Sequence, residues 1–346
     1  MKKILIITLS VYDKERKCFP VNVDLNIAKV LQTHGVPTLT VQLKKGRLWH
    51  TIFCIWKMVT KSYEYDMMVL PLFGTRNSVI WYRIITWIGT ILRKKKITIV
   101  RGGSIVDRIN EKGNPFIQIF QKADTIITPS SFFQHVFKEK KIESTVIENP
   151  ITLSNYTFHK KNKIRPRLIW MRTFHDIYNP FMAVSIAAQL IKKYPDFELV
   201  MAGGDKGLLD ACKNAAIENG LGNRISFPGY INLQQKNQLA SEYDLYICTN
   251  KVDNAPFSFI EFMAMGVPIV SVSVGGIPFM ITHQSNGLLC SDNSLDEMVN
   301  QISTLIENPE LASKITTQAY QYVQGYDEAI VAAKWKTLLN KVRSKS

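Results

Sequence analysis

The chain has 346 residues, long enough for two α/β domains with separate cores, and its 46% hydrophobic and 21% charged residues describe a folded protein, not a disordered or membrane-spanning one. Its net charge of +15 is unevenly spread: residues 1–165 hold 28 Lys and Arg against 11 Asp and Glu, and residues 166–346 hold 15 against 17. The first half therefore asks for an anionic partner, nucleic acid or lipid, while five scattered cysteines (18, 54, 212, 248, 290) without a C-x-x-C pair argue against disulfide or thiolate-metal chemistry and fit a reducing cytosol.

The opening M-K-K-I-L-I-I-T-L-S has the lysines of a signal peptide, but its apolar run is too short for one and no A-x-A site follows. It reads as a first buried strand. Further strands are expected at 38–41, 67–71, 97–100, 125–128 and 145–147, with helices near 22–34, 48–61, 77–93, 114–122 and 130–140. The apolar stretch 79–92 is broken by Arg83 and is too short to cross a membrane. Arg101, Gly102, Gly103 and Ser104 directly follow the strand at 97–100. A polar, basic segment at 159–167, with Pro166, reads as an interdomain linker.

A second set of strands follows at 168–171, 198–201, 225–227, 244–248, 269–272 and 287–289, alternating with helices near 180–193, 207–219, 234–241, 258–265, 294–306 and 308–324. The chain closes with a helix from about 328 to 343, with Ala332, Trp335, Leu338 and Leu339 on one face. This alternation predicts an α/β protein of two Rossmann-like domains with parallel sheets facing across a cleft. The expected domains are residues 1–160, residues 167–327 and the closing helix 328–346. Ligand contacts are expected at the carboxyl ends of strands, where Arg101, Arg172, Gly203, Asp253 and Gly275 all fall.

The most informative segment runs from Asp253 to Gly276: D-N-A-P-F-S-F-I-E-F-M-A-M-G-V-P-I-V-S-V-S-V-G-G. Pro256 biases the preceding loop away from helix. Ser258 reads as an N-cap, and Glu261 as its capping-box partner at the third helical position. A helix start is a ready anion site, and flanking carboxylates suit hydroxyl groups, so the ligand with both features is a sugar nucleotide.

This segment resembles the donor-site signature of retaining glycosyltransferases of family 4, of GT-B architecture, in which two acids precede E-A-M-A-x-G-x-P-V-V and a Gly-Gly turn. The chain has E-F-M-A-M-G-V-P-I-V and Gly275–Gly276, and departs at the first acid, Asp253, where Glu is commoner; a branch with D-N-x-P-x-S-x-x-E carries that change. The resemblance implies that Glu261 binds ribose hydroxyls and Asp253 a hydroxyl of the donor sugar. It implies same-face transfer without a protein nucleophile, and a closing helix that returns to the first domain.

Arg172, just past a strand, is the leading diphosphate ligand, because its planar fork suits bidentate contact. The Lys that relatives carry about six residues later is missing from H-D-I-Y-N-P, leaving His175, Lys206 or the backbone N–H groups of Phe257 and Ser258 as substitutes. Gly203 and Gly204 resemble the family's strand-end glycines, though a plain turn explains them equally. Gly275 and Gly276 would let backbone approach the donor; a tight turn explains one of them better than both. Arg101 to Ser104 would face the acceptor side. No D-x-D motif or His/Asp cluster offers a metal site, so no metal and no cofactor beyond the nucleotide-sugar substrate is expected.

Two basic segments, 44–61 and 81–96, combine tryptophans with Lys and Arg on helical patterns, as interfacial helices do; ordinary crossover helices with solvated lysines would look similar. The reading is thus a metal-independent hexosyltransferase using a UDP- or GDP-sugar and a membrane-associated or lipid-linked glycan. It would be cytoplasmic and peripheral on an anionic membrane through its basic first domain. A GT-B-fold sugar-nucleotide epimerase is the alternative. A nucleic-acid-binding protein would leave the neutral second half unexplained, and no RNP-like or zinc-finger pattern supports it.

Overall fold

The computed structural model describes residues 2–10, 23–44, 48–112, 114–161, 163–291 and 294–344. They form two units, Met1–Ile151 with Tyr326–Ser346, and Thr152–Gly325. Residues 11–22, and 45–47 in the first basic segment, lie outside the described residues.

In the first unit, β1 (Lys3–Ser10), α1 (Val23–Thr33), β2 (Thr38–Lys44), α2 (Leu48–Thr60), β3 (Tyr65–Phe73), α3 (Arg76–Ile91), β4 (Lys95–Arg101), α4 (Ser104–Lys112), α5 (Asn114–Ile117), β5 (Thr125–Thr128), α6 (Ser131–Glu139) and β6 (Thr145–Val146) follow one another. The strands form one parallel sheet in the order β2-β1-β3-β4-β5-β6. Alternate residues of β1 serve opposite faces. Leu5 and Ile7 join Met58, Tyr82, Ile85 and Phe137 under α2, α3 and α6. Ile4 and Ile6 join Ile27 and Leu31 of α1 and Trp335 and Leu339 of the closing helix Glu328–Ser344. That helix is also tied to this unit by Lys334–Glu148 and Arg343–Asp66 ion pairs.

One helix escaped the sequence reading. α4 occupies 104–112, where no helix was expected, and the helical pattern assigned to 114–122 is only the short α5 and a 3-10 turn. α4 is polar apart from Ile105, Val106 and Ile109, of which Ile105 and Ile109, one helical turn apart, are fully buried, so three residues carry its whole apolar signal.

In the second unit the order is β7 (Arg167–Met171), α7 (Pro180–Lys193), β8 (Glu198–Ala202), α8 (Leu209–Glu218), β9 (Ile225–Gly229), α9 (Leu233–Glu242), β10 (Leu245–Cys248), α10 (Phe257–Ala264), β11 (Ile269–Val272), β12 (Leu288–Cys290), α11 (Leu295–Glu307) and α12 (Pro309–Gln324). The parallel sheet runs β12-β11-β10-β7-β8-β9. Strand order therefore reverses direction between β7 and β10, the place where doubly wound sheets bind ligands beyond their carboxyl ends.

The segment 159–167, expected as a linker, belongs to the second unit, and the chain passes between units at 151/152 and 325/326. Buried Asp244, just before β10, explains the difference. Its carboxylate takes the Arg165 backbone N–H (2.8 Å), Arg165 Nε (2.7 Å) and Nη2 (2.9 Å), and Lys161 Nζ (2.9 Å). Basic residues that suggest a solvated linker are the partners of that carboxylate.

Burial works against ionisation of Asp244, but the hydrogen bonds from Arg165 and Lys161 outweigh it and hold the carboxyl below its ordinary value. A carboxyl depressed in this way stabilises the fold fully above its unfolded pKa, and the contribution disappears as pH falls through the folded value. Asp244→Ala is expected to cost roughly 3 kcal/mol in urea unfolding at neutral pH, the order found for breaking a buried pair. The gap to wild type should shrink as the pH drops below about 4. A gap independent of pH would show that the charge is immaterial.

Candidate functional site

The carboxyl ends of β7 and β10 are laced together before any functional side chain is considered. Trp170 Nε1 donates to Thr249 Oγ1 (2.9 Å), and that hydroxyl donates toward the carbonyls of Tyr178 and Asn179 (2.8 and 3.0 Å). The Lys251 N–H donates to the Ile177 carbonyl (2.8 Å). The loop after β8 joins them: Arg172 N–H donates to Ala202 O (3.0 Å) and Phe174 N–H to Gly204 O (2.9 Å). These contacts fix the backbone on which Arg172 and Asp253 stand.

Arg172 Nη2 donates to Asp253 Oδ2 at 2.8 Å, and the same oxygen accepts from Asn250 Nδ2 at 2.8 Å. The guanidinium carbon lies 5.5 Å from the centre of the Tyr178 ring. Both members of the ion pair are mostly buried, with side chains 15% and 17% exposed. Burial works against the Arg172 charge, but Tyr246 and Asp253 more than offset it and move its pKa upward. The sequence thus placed Arg172 and Asp253 correctly at strand ends, but not their direct pairing. Asn250, fully buried, was missed; its Oδ1 and Arg172 Nε are buried without a partner among the described residues. A buried polar atom left unmet is costly to the fold.

The glycines follow from backbone crowding. A Cβ on Gly203 would lie 1.8 Å from the Arg172 carbonyl oxygen, one on Gly275 (φ +54°) 2.2 Å from the Asp253 carbonyl oxygen, and one on Gly276 1.9 Å from the Asn254 carbonyl oxygen. Gly276 N–H donates to Asp253 O at 2.8 Å. The pair at 275–276, expected to admit a ligand, admits the backbone of the Asp253–Asn254 loop. Gly204, with open space around its Cβ position, is the plain turn residue that the sequence also allowed.

The capping box does not form. α10 begins at Phe257 with Pro256 as its cap residue, which makes Ser258 the second helical residue and Glu261 the fifth. A proline cap has no N–H for Glu261 to reach back to. Ser258 Oγ instead lies 3.1 Å from the Tyr246 hydroxyl. Buried Glu261 takes Lys236 Nζ on both oxygens (2.7 and 2.9 Å) and the Tyr156 hydroxyl on Oε1 (3.2 Å). Burial first, and then the Glu261 charge, push the Tyr156 hydroxyl well above its ordinary pKa. Lys236 and Tyr156 were missed because they lie 25 and 105 residues from Glu261, beyond any motif spacing. Phe257 is partly exposed at the first turn, where helix geometry leaves N–H groups without intrahelical acceptors.

The other candidates divide. Lys206 is exposed in the loop after β8, and its N–H donates to Phe174 O (3.2 Å), beside the Arg172 segment. His175 Nδ1 accepts from Ile177 N–H (3.2 Å) and caps a 3-10 turn. In the first unit, Arg101, expected to face an acceptor, is buried: Nε and Nη2 donate to Asp24 Oδ1 (2.9 and 2.7 Å) and Nη1 to Asn149 Oδ1 (2.6 Å). It anchors the start of α1, because a guanidinium at a buried strand end requires a carboxylate. Gly102 and Gly103 form the turn into α4, and Ser104 is its first residue.

Residues 157–322, within the second unit, match the family described as Glycosyl transferases group 1. Two such parallel α/β units in one chain are the elements of a GT-B fold. An uncharacterized glycosyltransferase of Haemophilus influenzae is 27% identical over 248 residues, covering 66% of this chain and 67% of that protein. The alpha-1,3/1,6-mannosyltransferase ALG2 of Dictyostelium discoideum is 28% identical over 55% of this chain, and the match spans less than half of its length, 46%. HepE of Anabaena in complex with UDP superimposes with a TM-score of 0.75 at 17% identity, covering 98% of this chain and 100% of that one. Sucrose-phosphate synthase of Thermosynechococcus elongatus does so with a TM-score of 0.75 at 14% identity, covering both chains fully.

Proposed function

We propose that this protein is a retaining, metal-independent hexosyltransferase. It moves a hexose from a UDP- or GDP-linked sugar to a hydroxyl of a membrane-associated or lipid-linked glycan in cell-surface polysaccharide synthesis, acting in the cytoplasm at the inner face of the plasma membrane. The observation that carries the reading is the Arg172–Asp253 pair at the strand-order reversal between β7 and β10. The group 1 domain over 157–322 supports it, as do relatives named as mannosyl- and inositol 3-phosphate glycosyltransferases. HepE, named in complexes with UDP and UDP-glucose, favours a uridine donor.

In this reading the bond between the anomeric carbon and the diphosphate breaks as the acceptor oxygen bonds to the same face, and the acceptor proton passes to the departing phosphate. Arg172 and the first turn of α10 stabilise the charge developing on that phosphate, and Lys206 adds a cation from the loop after β8. Asp253 holds Arg172 and receives a donor-sugar hydroxyl on its remaining oxygen. Glu261, with one cation already bound at Lys236, receives the ribose hydroxyls.

Scanning the protein with UDP and with GDP, without divalent metal, tests this. One nucleotide at about a hundred times its Kd should add about 2.7 kcal/mol and raise Tm by roughly 2–4 °C. Donor turnover should require an added acceptor. No shift with either nucleotide, or turnover that needs a divalent ion, would end the proposal; acceptor-free conversion would leave the epimerase.

A further inference from the structure

We infer that the outer faces of α2 and α3 form a docking surface for an anionic lipid bilayer. Both helices cover the same face of the first unit's sheet, because Ile55 and Met58 of one and Tyr82, Ile85 and Ile88 of the other enter the same core. Their carboxyl ends are joined, with Lys94 Nζ donating to the carbonyls of Ser62 (2.7 Å) and Tyr65 (2.9 Å).

An ordinary crossover helix is polar on the side away from its core. These two are apolar on both sides. α2 turns Ile52, Phe53, Trp56 and Val59 to solvent, with the Phe53 and Trp56 rings stacked at 5.7 Å. α3 exposes Ile80, Ile84, Trp87 and Ile91, a stripe at spacings of four, three and four residues. Trp56 and Trp87 are 58% and 64% exposed, and Tyr63 stands beyond the end of α2. Nine of the nineteen large hydrophobic side chains exposed among the described residues fall between 52 and 91, so the patch is concentrated.

Charge chooses the occupant. Neither helix contains an acidic residue; α2 carries Lys57, and α3 carries exposed Arg76 and Arg83. Residues 1–165 hold 17 more basic than acidic residues, so the same face of a second copy would meet this one with like charge, whereas anionic headgroups complement it. Tryptophan, tyrosine and arginine are also the side chains suited to a headgroup boundary. No helix among the described residues is long and apolar enough to cross a membrane, so contact is lateral. This deepens the proposed function by naming the surface that would meet a membrane-held acceptor, but its test needs neither donor nor acceptor.

The experiment is co-sedimentation of the whole protein with phosphatidylcholine vesicles, with and without phosphatidylglycerol, at low and high salt. Binding is expected to the phosphatidylglycerol vesicles and to weaken with salt. The double variant Trp56→Glu/Trp87→Glu should lower the partition coefficient about tenfold or more, and Arg83→Glu should lower it less. Both should keep the wild-type Tm and its response to nucleotide, since all three residues are exposed and none belongs to the donor site. Wild-type partition in the double variant, or equal binding to neutral vesicles, would overturn the assignment. So would failure to bind any vesicle while Trp56→Glu/Trp87→Glu abolishes self-association.

Discussion

Arg172→Ala should lower kcat for donor consumption on the order of 10²- to 10³-fold, the loss typical of removing one preorganised donor from a developing oxyanion. A purely structural arginine would be more fully engaged: one nitrogen meets Asp253, while Nε is buried without a partner among the described residues. Arg172→Lys should recover only part of the rate, because an ammonium supplies a point charge where a fork is required. Removing the cation also leaves Asp253 beside Asn250 alone, so Arg172→Met/Asp253→Asn serves as control. If the double variant regains the stability that Arg172→Ala loses and stays inactive, the lost rate does not come from unfolding around a stranded carboxylate. Release of nucleoside diphosphate gives the rate, and urea unfolding gives the stability. Wild-type kcat in Arg172→Ala would remove the donor-site assignment.

Gly276→Ala should be nearly as damaging although it touches no reacting group. Its backbone (φ −88°, ψ −2°) is ordinary for alanine, so conformational strain is not the cause. The added Cβ would sit 1.9 Å from Asn254 O and 2.7 Å from its carbonyl carbon, and backbone cannot rotate away as a side chain can. The Asp253–Asn254 loop must shift, the bond from Gly276 N–H to Asp253 O must break, and Arg172 loses its fixed partner. Displacement near 1 Å at a reacting site costs on the order of 10²-fold in kcat, and overpacking costs about 1–3 kcal/mol in stability. Gly204→Ala, with nothing within 4 Å of its Cβ, should match wild type in both. Equal kinetics for the two variants would show that the loop is compliant and the glycine argument mistaken.

The sequence by itself determined the alternation of strands and helices, because each buried parallel strand needs a short β-branched run and each crossover helix an amphipathic one. β5, β11 and α7 begin and end where the apolar pattern placed them. α4 did not show, since Ile105, Val106 and Ile109 alone carry its signal. The sequence likewise placed Arg172, Gly203, Asp253 and Gly275 at strand ends, because chain order fixes which residues come directly after a strand. Tertiary structure alone decided what each side chain meets there. It gave Asp253 to Arg172, Glu261 to Lys236 and Tyr156, and Arg101 to Asp24, and it used Gly275 and Gly276 to seat a neighbouring loop. Local propensity acts over a few residues along the chain, whereas charge pairing and backbone crowding act across space, between partners up to 277 positions apart.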